Sequence, residues 1–301
     1  MMETRLGIIG GSGLYDFEGL EDARWIRLES PFGEPSDDLL VARLNGLELV
    51  FLPRHGRGHR LSPAAINYRA NIDVLKRAGV TDILSLSACG SLREDLSPGT
   101  FVVVDQFIDR TRGREKTFFG EGMVAHVSLA EPVCGRLGCL VRGSLRALGI
   151  PYAPRGTYLA MEGPQFSTRS ESALYRQWGA DVIGMTNMPE AALAREAEIC
   201  YATVAMVTDY DCWRDDGPHV EVSNVLEVLH DNAEKARALV KAVARAMAGE
   251  GATRQPCGRG CDRALDVALV TDPAARSAEM VARLDAVAGR ILGRSRGEKT
   301  R

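Results

Sequence analysis

Short apolar runs alternate with amphipathic helical patterns along almost the whole chain of 301 residues. The runs are bounded by glycine, proline or charged residues, which is typical of buried strands. Strands that alternate with helices predict an α/β fold, here a single-domain, mixed and twisted sheet flanked by helices. The clearest predicted strands are 6–9, 47–52, 83–86, 101–104, 181–185 and 200–207.

A break in composition divides the chain near its C-terminal end. A glycine-rich polar run at 249–260 separates a long predicted helix from the last predicted helix. We therefore predict a main domain over 1–248 and, over 249–301, a loop and helical tail packed on or beside it. The predicted helices are 63–77, 131–148, 168–178, 189–199, 222–247 and, in the tail, 273–292.

Composition excludes several classes of protein. The net charge of −3 lacks the basic excess that directs a protein to nucleic acid. No apolar run reaches the ~18 residues that a membrane helix needs. The N-terminus lacks a basic segment followed by an apolar one, and the seven cysteines are irregularly spaced. These features predict a protein of the reducing cytoplasm, without a secretory signal.

Two acids, Asp209 and Asp211, stand where the predicted strand 200–207 ends. Period-two spacing in an extended segment points both side chains the same way, and ligands of open α/β sheets collect at such strand ends. A protonated carboxyl can give a proton to a ring nitrogen, and a carboxylate can accept a hydrogen bond from an exocyclic amine. The pair therefore indicates cleavage of a bond to an adenine-like base. A solvated turn is the alternative, because acids are common there.

Three segments after predicted strands carry groups suited to an oxyanion. The glycines of 10–13 let backbone N–H groups approach an anion, and Ser12 adds a hydroxyl, although a plain tight turn is an alternative. This loop is neither a dinucleotide fingerprint nor a P-loop, because the third glycine and the Gly-Lys pair are absent. Arg54 and His55 can bind an oxyanion, or form an exposed basic turn. Ser87 offers a hydroxyl among small residues.

Further candidates suit a sugar and a base. Phe166 can lie over an aromatic base or simply pack in the core, and Ser167 can hydrogen-bond the edge of a base. Met185 and Thr186 lie where they could contact a sugar or phosphate. Glu190 fits a structural acid at a helix start.

Cysteine and metal chemistry are weaker possibilities. His55 and His59 could share a metal ion, but no acidic or cysteine partner is close in sequence. Cys89 stands among small apolar residues without a nearby histidine, so we expect a buried and inert thiol.

Seven short motifs occur in a fixed order along the chain. They are Gly10-Gly-Ser-Gly13, Arg54-His-Gly-Arg57, Ser87-Ala-Cys-Gly90, Asp105-Gln-Phe-Ile-Asp-Arg110, Glu162-Gly-Pro-Gln-Phe166, Gly184-Met-Thr186 and Thr208-Asp-Tyr-Asp211. The ordered set resembles the methylthioadenosine phosphorylase branch of the trimeric purine nucleoside phosphorylase family over roughly residues 5–245. The resemblance implies a pentosyltransferase of purine and methionine salvage that cleaves 5′-methylthioadenosine with inorganic phosphate. The products would be adenine and 5-methylthioribose 1-phosphate.

The resemblance also implies roles for individual residues. Asp209 would protonate N7 of the base, and Asp211 would accept a hydrogen bond from the 6-amino group. His126 resembles a residue that reaches a neighbouring subunit's site in a homotrimer, or in a dimer of trimers. Phosphate is a co-substrate, and no metal or organic cofactor is implied. The implied phosphate contacts are Ser12, Arg54, His55, Ser87, Ala88 and Thr186, and the implied nucleoside contacts are Phe166, Ser167, Met185, Val222 and Val225.

Other functions stay open at this point. A phosphorylase for 6-oxopurine nucleosides, such as methylthioinosine or inosine, would share the fold, but that branch typically has Asn in place of Asp209. A nicotinamide-dependent oxidoreductase lacks its glycine fingerprint here, and a non-catalytic nucleoside-binding module has no use for the arginine-histidine segment. The tail resembles the cysteine-bearing ends of some members, so Cys257 and Cys261 could form a disulfide, although free thiols suit a reducing cytosol better.

Overall fold

The structure, a computed structural model, describes residues 3–11, 13–15, 18–214, 222–249, 253–254 and 256–293. Over these residues the chain forms a mixed sheet with helices packed against it, so the predicted fold class is confirmed. The strands are β1 (Arg5–Gly10), β2 (Glu21–Ile26), β3 (Leu39–Leu44), β4 (Leu47–Pro53), β5 (Asp82–Ser91), β6 (Phe101–Val103), β7 (Gln106–Asp109), β8 (Tyr152–Ala153), β9 (Thr157–Ala160), β10 (Val182–Gly184) and β11 (Cys200–Asp209). The α-helices are α1 (Tyr68–Arg77), α2 (Gly135–Ala147), α3 (Arg169–Gln177), α4 (Glu190–Glu196), α5 (Val222–Gly249), α6 (Ala278–Arg283) and α7 (Gly289–Leu292).

Strand β5 is the centre of the sheet. Its first half lies between β1 and β11, which are both parallel to it, and its end pairs with the antiparallel strand β10. The sheet continues through β4, β3 and β2 beyond β1, and through β9 and β7 beyond β10, while β11 also pairs with β6. Because β1, β4, β5 and β11 are parallel, their carboxyl ends meet at one edge, where sites of α/β proteins form.

Both faces of the sheet are buried. Along β4, Val50 and Leu52 belong to the apolar cluster that also contains residues of α1 and α4. Leu49 and Phe51 point to the opposite cluster, which contains residues of α2 and α5. All four side chains are at most 1 % exposed, and burying each contributes roughly 1.5–3 kcal/mol. The continuous apolar sequence of such strands follows from burial on two sides.

The element predictions were wrong in detail at several places. The predicted helix 63–77 begins as a 3₁₀ turn at Pro63–Ala65, and α1 starts only at Tyr68 because the Asn67 side chain caps the N–H of Ala70. The predicted tail helix 273–292 is broken into a 3₁₀ turn and the short helices α6 and α7. Strands β2, β3, β7, β8 and β9 were not predicted; β2 is polar and exposed, and the last three are short.

The C-terminal tail packs against the rest of the chain. Leu265, Leu284 and Ala288 are buried in the same cluster as residues of α1. Arg290 pairs with the buried Glu198 at 2.6 Å. The boundary at residue 248 stays a prediction. Among the described residues, no helix has the length and hydrophobicity that crossing a bilayer requires.

Candidate active site

A cavity of about 400 Å³ lies at the edge where β1, β4, β5 and β11 end. Strand β10 is antiparallel to β5, so the residues that follow β10 run back along β5 toward Ser87. There the Asn187 side chain donates a hydrogen bond to the Ser87 hydroxyl at 3.2 Å. The polar residues that line the cavity are Arg54, His55, His59, Ser87, Thr186, Thr208, Asp209 and Asp211. Its larger apolar residues are Leu14, Leu86, Met161, Phe166, Ile183, Met185 and Met206.

The two predicted acids lie in this cavity, but their geometry differs from the prediction. Strand β11 ends at Asp209, and Asp211 follows in a turn with φ of +50°, so the two acids are not neighbours on one face of an extended strand. Asp209 Oδ1 accepts a hydrogen bond from the N–H of Asp211, and Oδ2 accepts one from the Thr208 hydroxyl. A Cβ at Gly90 would lie 2.9 Å from Asp209 Oδ1, so glycine there lets β5 approach the acids.

Burial favours the protonated form of both acids. It raises the pKa of Asp209, although the Thr208 hydroxyl and the N–H of Asp211 act in the opposite direction. Burial also raises the pKa of Asp211, and the charge of Asp209 adds to this. Asp211 Oδ2 is buried and makes no hydrogen bond of normal geometry within the described chain. The pair can therefore hold a proton and can accept a bond from a ligand.

Arg54 is buried at the other side of the cavity, directly after β4. Its Nε and Nη2 donate to the two carboxylate oxygens of Glu190 at 3.0 and 3.1 Å. Nη2 also donates to the Ser85 hydroxyl, and Nη1 donates to the Leu86 carbonyl at 2.9 Å. These bonds use four of the five guanidinium N–H groups, and the fifth is on Nη1. The side chain is thus fixed rather than exposed in a basic turn.

Glu190 is the partner that sequence analysis missed. It was predicted only as an acid at a helix start, and it is the first residue of α4. Burial opposes its ionisation, but the Arg54 guanidinium and hydrogen bonds from Ser85 and Tyr201 hold its pKa below the ordinary value. A buried pair of this kind leaves an uncompensated charge when either partner is removed.

His55 is neutral and oriented by the backbone. Its Nδ1 lies 2.9 Å from the Leu61 carbonyl oxygen, which can only accept, so Nδ1 carries the proton and Nε2 keeps its lone pair. Burial, with the charge of Arg54, lowers its pKa to about 4. The ring stacks on His59 at 4.2 Å between centroids. The geometry therefore favours Nε2 of His55 as a hydrogen-bond acceptor toward a ligand.

Arg54, His55, Ser87 and Thr186 form one polar wall of the cavity, and Ser87 and Thr186 contribute hydroxyl groups to it. Ser87 is buried within β5, so the strand predicted over 83–86 continues through Ser87 to Ser91. Thr186 Oγ1 is buried and makes no hydrogen bond of normal geometry within the described chain. It lies close enough to the Tyr158 hydroxyl to act on the pKa of that group, and it can also donate a hydrogen bond to a ligand in the cavity. Ala88 is half-buried beside Ser87 and also lines the cavity.

The acid pair lies beside the end of β5, because Asp209 pairs with Gly90, and Ser87 of the polar wall lies earlier on the same strand. Ser87 and Gly90 are three residues apart on β5, which corresponds to about 10 Å along an extended strand. Phe166 lines the cavity and is 48 % exposed, so its ring is free to receive a flat base. Met185 also lines the cavity and is half-buried.

Some predicted residues are not brought into the cavity wall. Ser167 lies beside it, with its hydroxyl 3.7 Å from the sulfur of Met161. His126 is exposed elsewhere on the surface, where its N–H donates to the Ala268 carbonyl at 2.9 Å. Ser12 and the side chains of Val222 and Val225 lie outside the described residues.

A mixed sheet with a cavity at the carboxyl ends of its parallel strands is the arrangement of an α/β enzyme. Comparison with known proteins identifies its family. The phosphorylase superfamily matches residues 5–245, and this chain belongs to that superfamily. It is 62 % identical to the S-methyl-5′-thioadenosine phosphorylase of Rhodospirillum rubrum, over 96 % of this chain and 97 % of that protein. It is 59 % identical to the enzyme of the same name from Cereibacter sphaeroides, over 97 % and 99 %.

Solved structures agree with the sequence comparison. A methylthioadenosine phosphorylase from an Antarctic soil metagenomic library has a TM-score of 0.87 and 46 % identity, over 95 % of this chain and 99 % of that one. Methylthioadenosine phosphorylase from Schistosoma mansoni, in complex with adenine, has a TM-score of 0.76 and 38 % identity, over 82 % and 93 %. The family resemblance inferred from the motifs is therefore confirmed.

Proposed function

We propose that this enzyme, a pentosyltransferase, cleaves 5′-methylthioadenosine with inorganic phosphate and so serves purine and methionine salvage. The products are adenine and 5-methylthioribose 1-phosphate. Relatives that carry the name of this activity are 59 % and 62 % identical over nearly the whole chain. One structural observation carries the residue assignment: a single cavity is lined both by Arg54, Ser87 and Thr186 and by the acids Asp209 and Asp211.

At the base end, Asp209 gives a proton to N7 as the bond to the sugar breaks. Burial raises the pKa of this carboxyl, which keeps the proton available. Asp211 Oδ2 accepts a hydrogen bond from the 6-amino group. This role is supported because Oδ2 makes no hydrogen bond of normal geometry within the described chain, although the Ser172 and Ser167 hydroxyls act on the pKa of the carboxyl. Protonation improves the leaving group while oxocarbenium character develops on the sugar.

At the phosphate end, Arg54, Ser87 and Thr186 donate hydrogen bonds to phosphate oxygens. Glu190 balances the charge of Arg54, so the anion is held by directed donors more than by a net positive field. Neutral His55 accepts from the protonated oxygen of monohydrogen phosphate through Nε2. Phosphate held in this way stabilises the developing cation and then attacks the anomeric carbon. Ser12 and the backbone of Ala88 are the remaining proposed phosphate contacts.

The sugar and base are held by the apolar part of the cavity. Phe166 stacks on the base and Met185 contacts the ribose, in line with their positions in the lining. Ser167, Val222 and Val225 stay proposals from the family resemblance.

The proposed reaction uses neither a metal ion nor an organic cofactor. Phosphate itself is the nucleophile and N7 is the proton acceptor, so no further electrophile or redox group is required. We place the enzyme in the cytoplasm, in line with its seven cysteines of irregular spacing.

We further propose a homotrimer in which His126 reaches the site of a neighbouring subunit. His126 lies on an exposed strip with three apolar side chains. Val267 is 94 %, Val270 is 59 % and Val124 is 38 % exposed. Val124 and Val270 lie side by side because the N–H of Val270 donates a hydrogen bond to the Val124 carbonyl. Grouped apolar side chains on a surface are typical of subunit contacts.

A single assay tests the proposed function. Adenine release from methylthioadenosine is measured with and without inorganic phosphate, and adenosine, methylthioinosine and inosine are compared as substrates. The proposal expects phosphate-dependent release, fastest with methylthioadenosine. Equal release in phosphate-free buffer would identify a hydrolase, and faster turnover of methylthioinosine would identify a 6-oxopurine enzyme.

A further inference from the structure

Four buried cysteines converge where the C-terminal tail meets the main part of the chain. The sulfur atoms of Cys134, Cys200, Cys257 and Cys261 all lie within 4.8 Å of one another. None of the four is in a disulfide, and the sulfurs of Cys134 and Cys257 are 3.6 Å apart. Three separate elements supply them, namely the N-terminus of α2, the first residue of β11 and a turn in the tail.

We propose that these four thiolates bind one zinc ion. Zinc in structural sites is tetrahedral with zinc–sulfur bonds of about 2.3 Å, so the sulfurs of such a site are about 3.8 Å apart. The Cys134 and Cys257 sulfurs are 3.6 Å apart and all four lie within 4.8 Å of one another, which leaves room for one zinc ion between them, whereas a disulfide requires about 2.05 Å. An iron–sulfur cluster places several iron and sulfide ions between its thiolates, and the space here suits a single ion.

The turn in the tail presents two of the four ligands. Cys257-Gly-Arg-Gly-Cys261 has three residues between its cysteines, within the spacing of two to four that is typical of zinc sites. Gly260 has φ of +67°, in the left-handed region that favours glycine, and its N–H donates to the Cys257 carbonyl at 2.8 Å. This tight turn directs both thiols to the same side, toward Cys134 and Cys200.

Positive groups surround the thiols. A zinc ion with four thiolates carries a net charge of −2, which burial makes costly unless cations or hydrogen-bond donors are near. Arg254 Nη2 lies 3.9 Å from the Cys200 sulfur. Arg136 interacts with Cys200 and Cys134 and also pairs with Asp82. Cys134 is the residue before the first turn of the 13-residue helix α2, where the helix dipole favours a negative charge.

The proposed site is closed and therefore structural. Four protein ligands complete the coordination of zinc and leave no position for a substrate. The ion would join the tail to α2 and to the start of β11, the strand that ends at Asp209. Its binding energy would add to the folding energy of the chain. This role is separate from the proposed phosphorolysis, which uses no metal.

The metal content of the purified enzyme tests the proposal directly. The full chain is prepared with a thiol reductant and without added metal, and zinc is measured by inductively coupled plasma mass spectrometry. We expect about one zinc per chain, released when a mercurial reagent blocks the thiols. The double variant Cys257→Ser/Cys261→Ser should lose this zinc. Cys139→Ser, which changes an exposed cysteine on the same helix as the Cys134 cap, is the matched control and should retain it.

Several outcomes would overturn the assignment. Zinc far below one per chain with all seven thiols titratable would show free cysteines, and mass spectrometry could instead reveal a disulfide among the four. One iron per chain would reject zinc as the bound metal. If the double variant does not fold, cobalt is supplied during expression in place of zinc. The proposal then requires the intense visible absorption of a tetrahedral cobalt–thiolate site, and its absence counts against the site.

Discussion

The backbone N–H of Asp211 donates a hydrogen bond of 2.8 Å to Oδ1 of Asp209. Together with the bond from the Thr208 hydroxyl to Oδ2, it gives each oxygen of Asp209 one hydrogen bond from the protein. Asp211 Oδ2 has no such bond within the described chain. The two acids are therefore not equivalent: Asp209 is held in place by the protein, and Asp211 keeps an acceptor for a ligand.

Asp209→Asn should lower kcat far more than it changes the KM for methylthioadenosine. The amide preserves the shape of the side chain but cannot supply the proton that N7 takes in the transition state, and loss of such a general acid costs about 10²–10⁴-fold in rate. Steady-state kinetics at saturating phosphate measures the effect. Near-normal turnover would refute the proposed leaving-group mechanism, whatever the fold.

The double variant Asp209→Asn/Asp211→Ala should shift preference toward 6-oxopurine nucleosides. It removes the acceptor for the 6-amino group and offers an amide to the N7 edge of the base. The measurement is the ratio of kcat/KM for methylthioinosine to that for methylthioadenosine. Asp211→Ala alone is the control, and an unchanged ratio in both variants would remove Asp211 from base selection.

The parts of the site that depend on local order could be predicted from the sequence. Arg54 directly follows β4 and Asp209 ends β11, and the parallel arrangement of these strands with β5 brings both residues to one edge. Thr186 follows the antiparallel strand β10, and Ser87 lies within β5 rather than beyond its end. The turn at Asp211 was not predicted, because a left-handed residue after a strand leaves no periodic pattern.

Contacts between distant residues could not be predicted. Arg54 and Glu190 are 136 positions apart, and Cys134 and Cys257 are 123 apart. No spacing rule links such residues, because only the packing of the sheet and the tail brings them together. For this reason the sequence left two alternatives for Arg54, an anion ligand or an exposed residue, and did not predict the ion pair with Glu190 that buries it.

Arg54→Ala should raise the KM for phosphate more than the KM for the nucleoside, and it should also destabilise the protein. Loss of a charge-assisted hydrogen bond costs about 1.5–3 kcal/mol, which corresponds to a KM roughly 10 to 150 times higher. The variant also leaves the Glu190 carboxylate buried without its partner. Glu190→Gln is the matched control, because it weakens the same pair but keeps the guanidinium. If both variants change the KM for phosphate equally, Arg54 acts only through the fold.

Mixed trimers should test the proposed role of His126. His126→Ala keeps Asp209 in its own site, and Asp209→Asn keeps His126. When the two variants are co-expressed, some sites combine Asp209 from one chain with His126 from its neighbour. The activity of the mixture should then exceed the weighted mean of the two pure variants. Activity equal to that mean would place His126 outside any neighbouring site, and a fully active monomer in ultracentrifugation would rule out the trimer.

The free energy of unfolding should fall as the pH rises from about 4.5 to about 7, because the Glu196 carboxyl loses its proton over this range. This α4 carboxyl is buried and accepts hydrogen bonds from the Thr117 hydroxyl and the Phe118 N–H, both at 2.7 Å. Burial nevertheless raises its pKa from 4.5 to about 7. The folded chain therefore holds this proton more tightly than the unfolded chain, so the stabilisation is complete below pH 4.5 and is lost as the pH passes 7. The loss is at most about 3 kcal/mol.

Glu196→Gln isolates this contribution, because glutamine retains one carbonyl acceptor and does not ionise. Urea unfolding of both proteins at pH 5 and pH 8, followed by circular dichroism, gives the change in unfolding free energy for each. Asp209 and Asp211 also have raised pKa values and contribute in the same direction in both proteins, so the difference between the two slopes reports on Glu196 alone. We expect the wild-type protein to lose more stability between these pH values than the variant does. Identical slopes would mean that the pKa of Glu196 in the folded protein is close to its ordinary value.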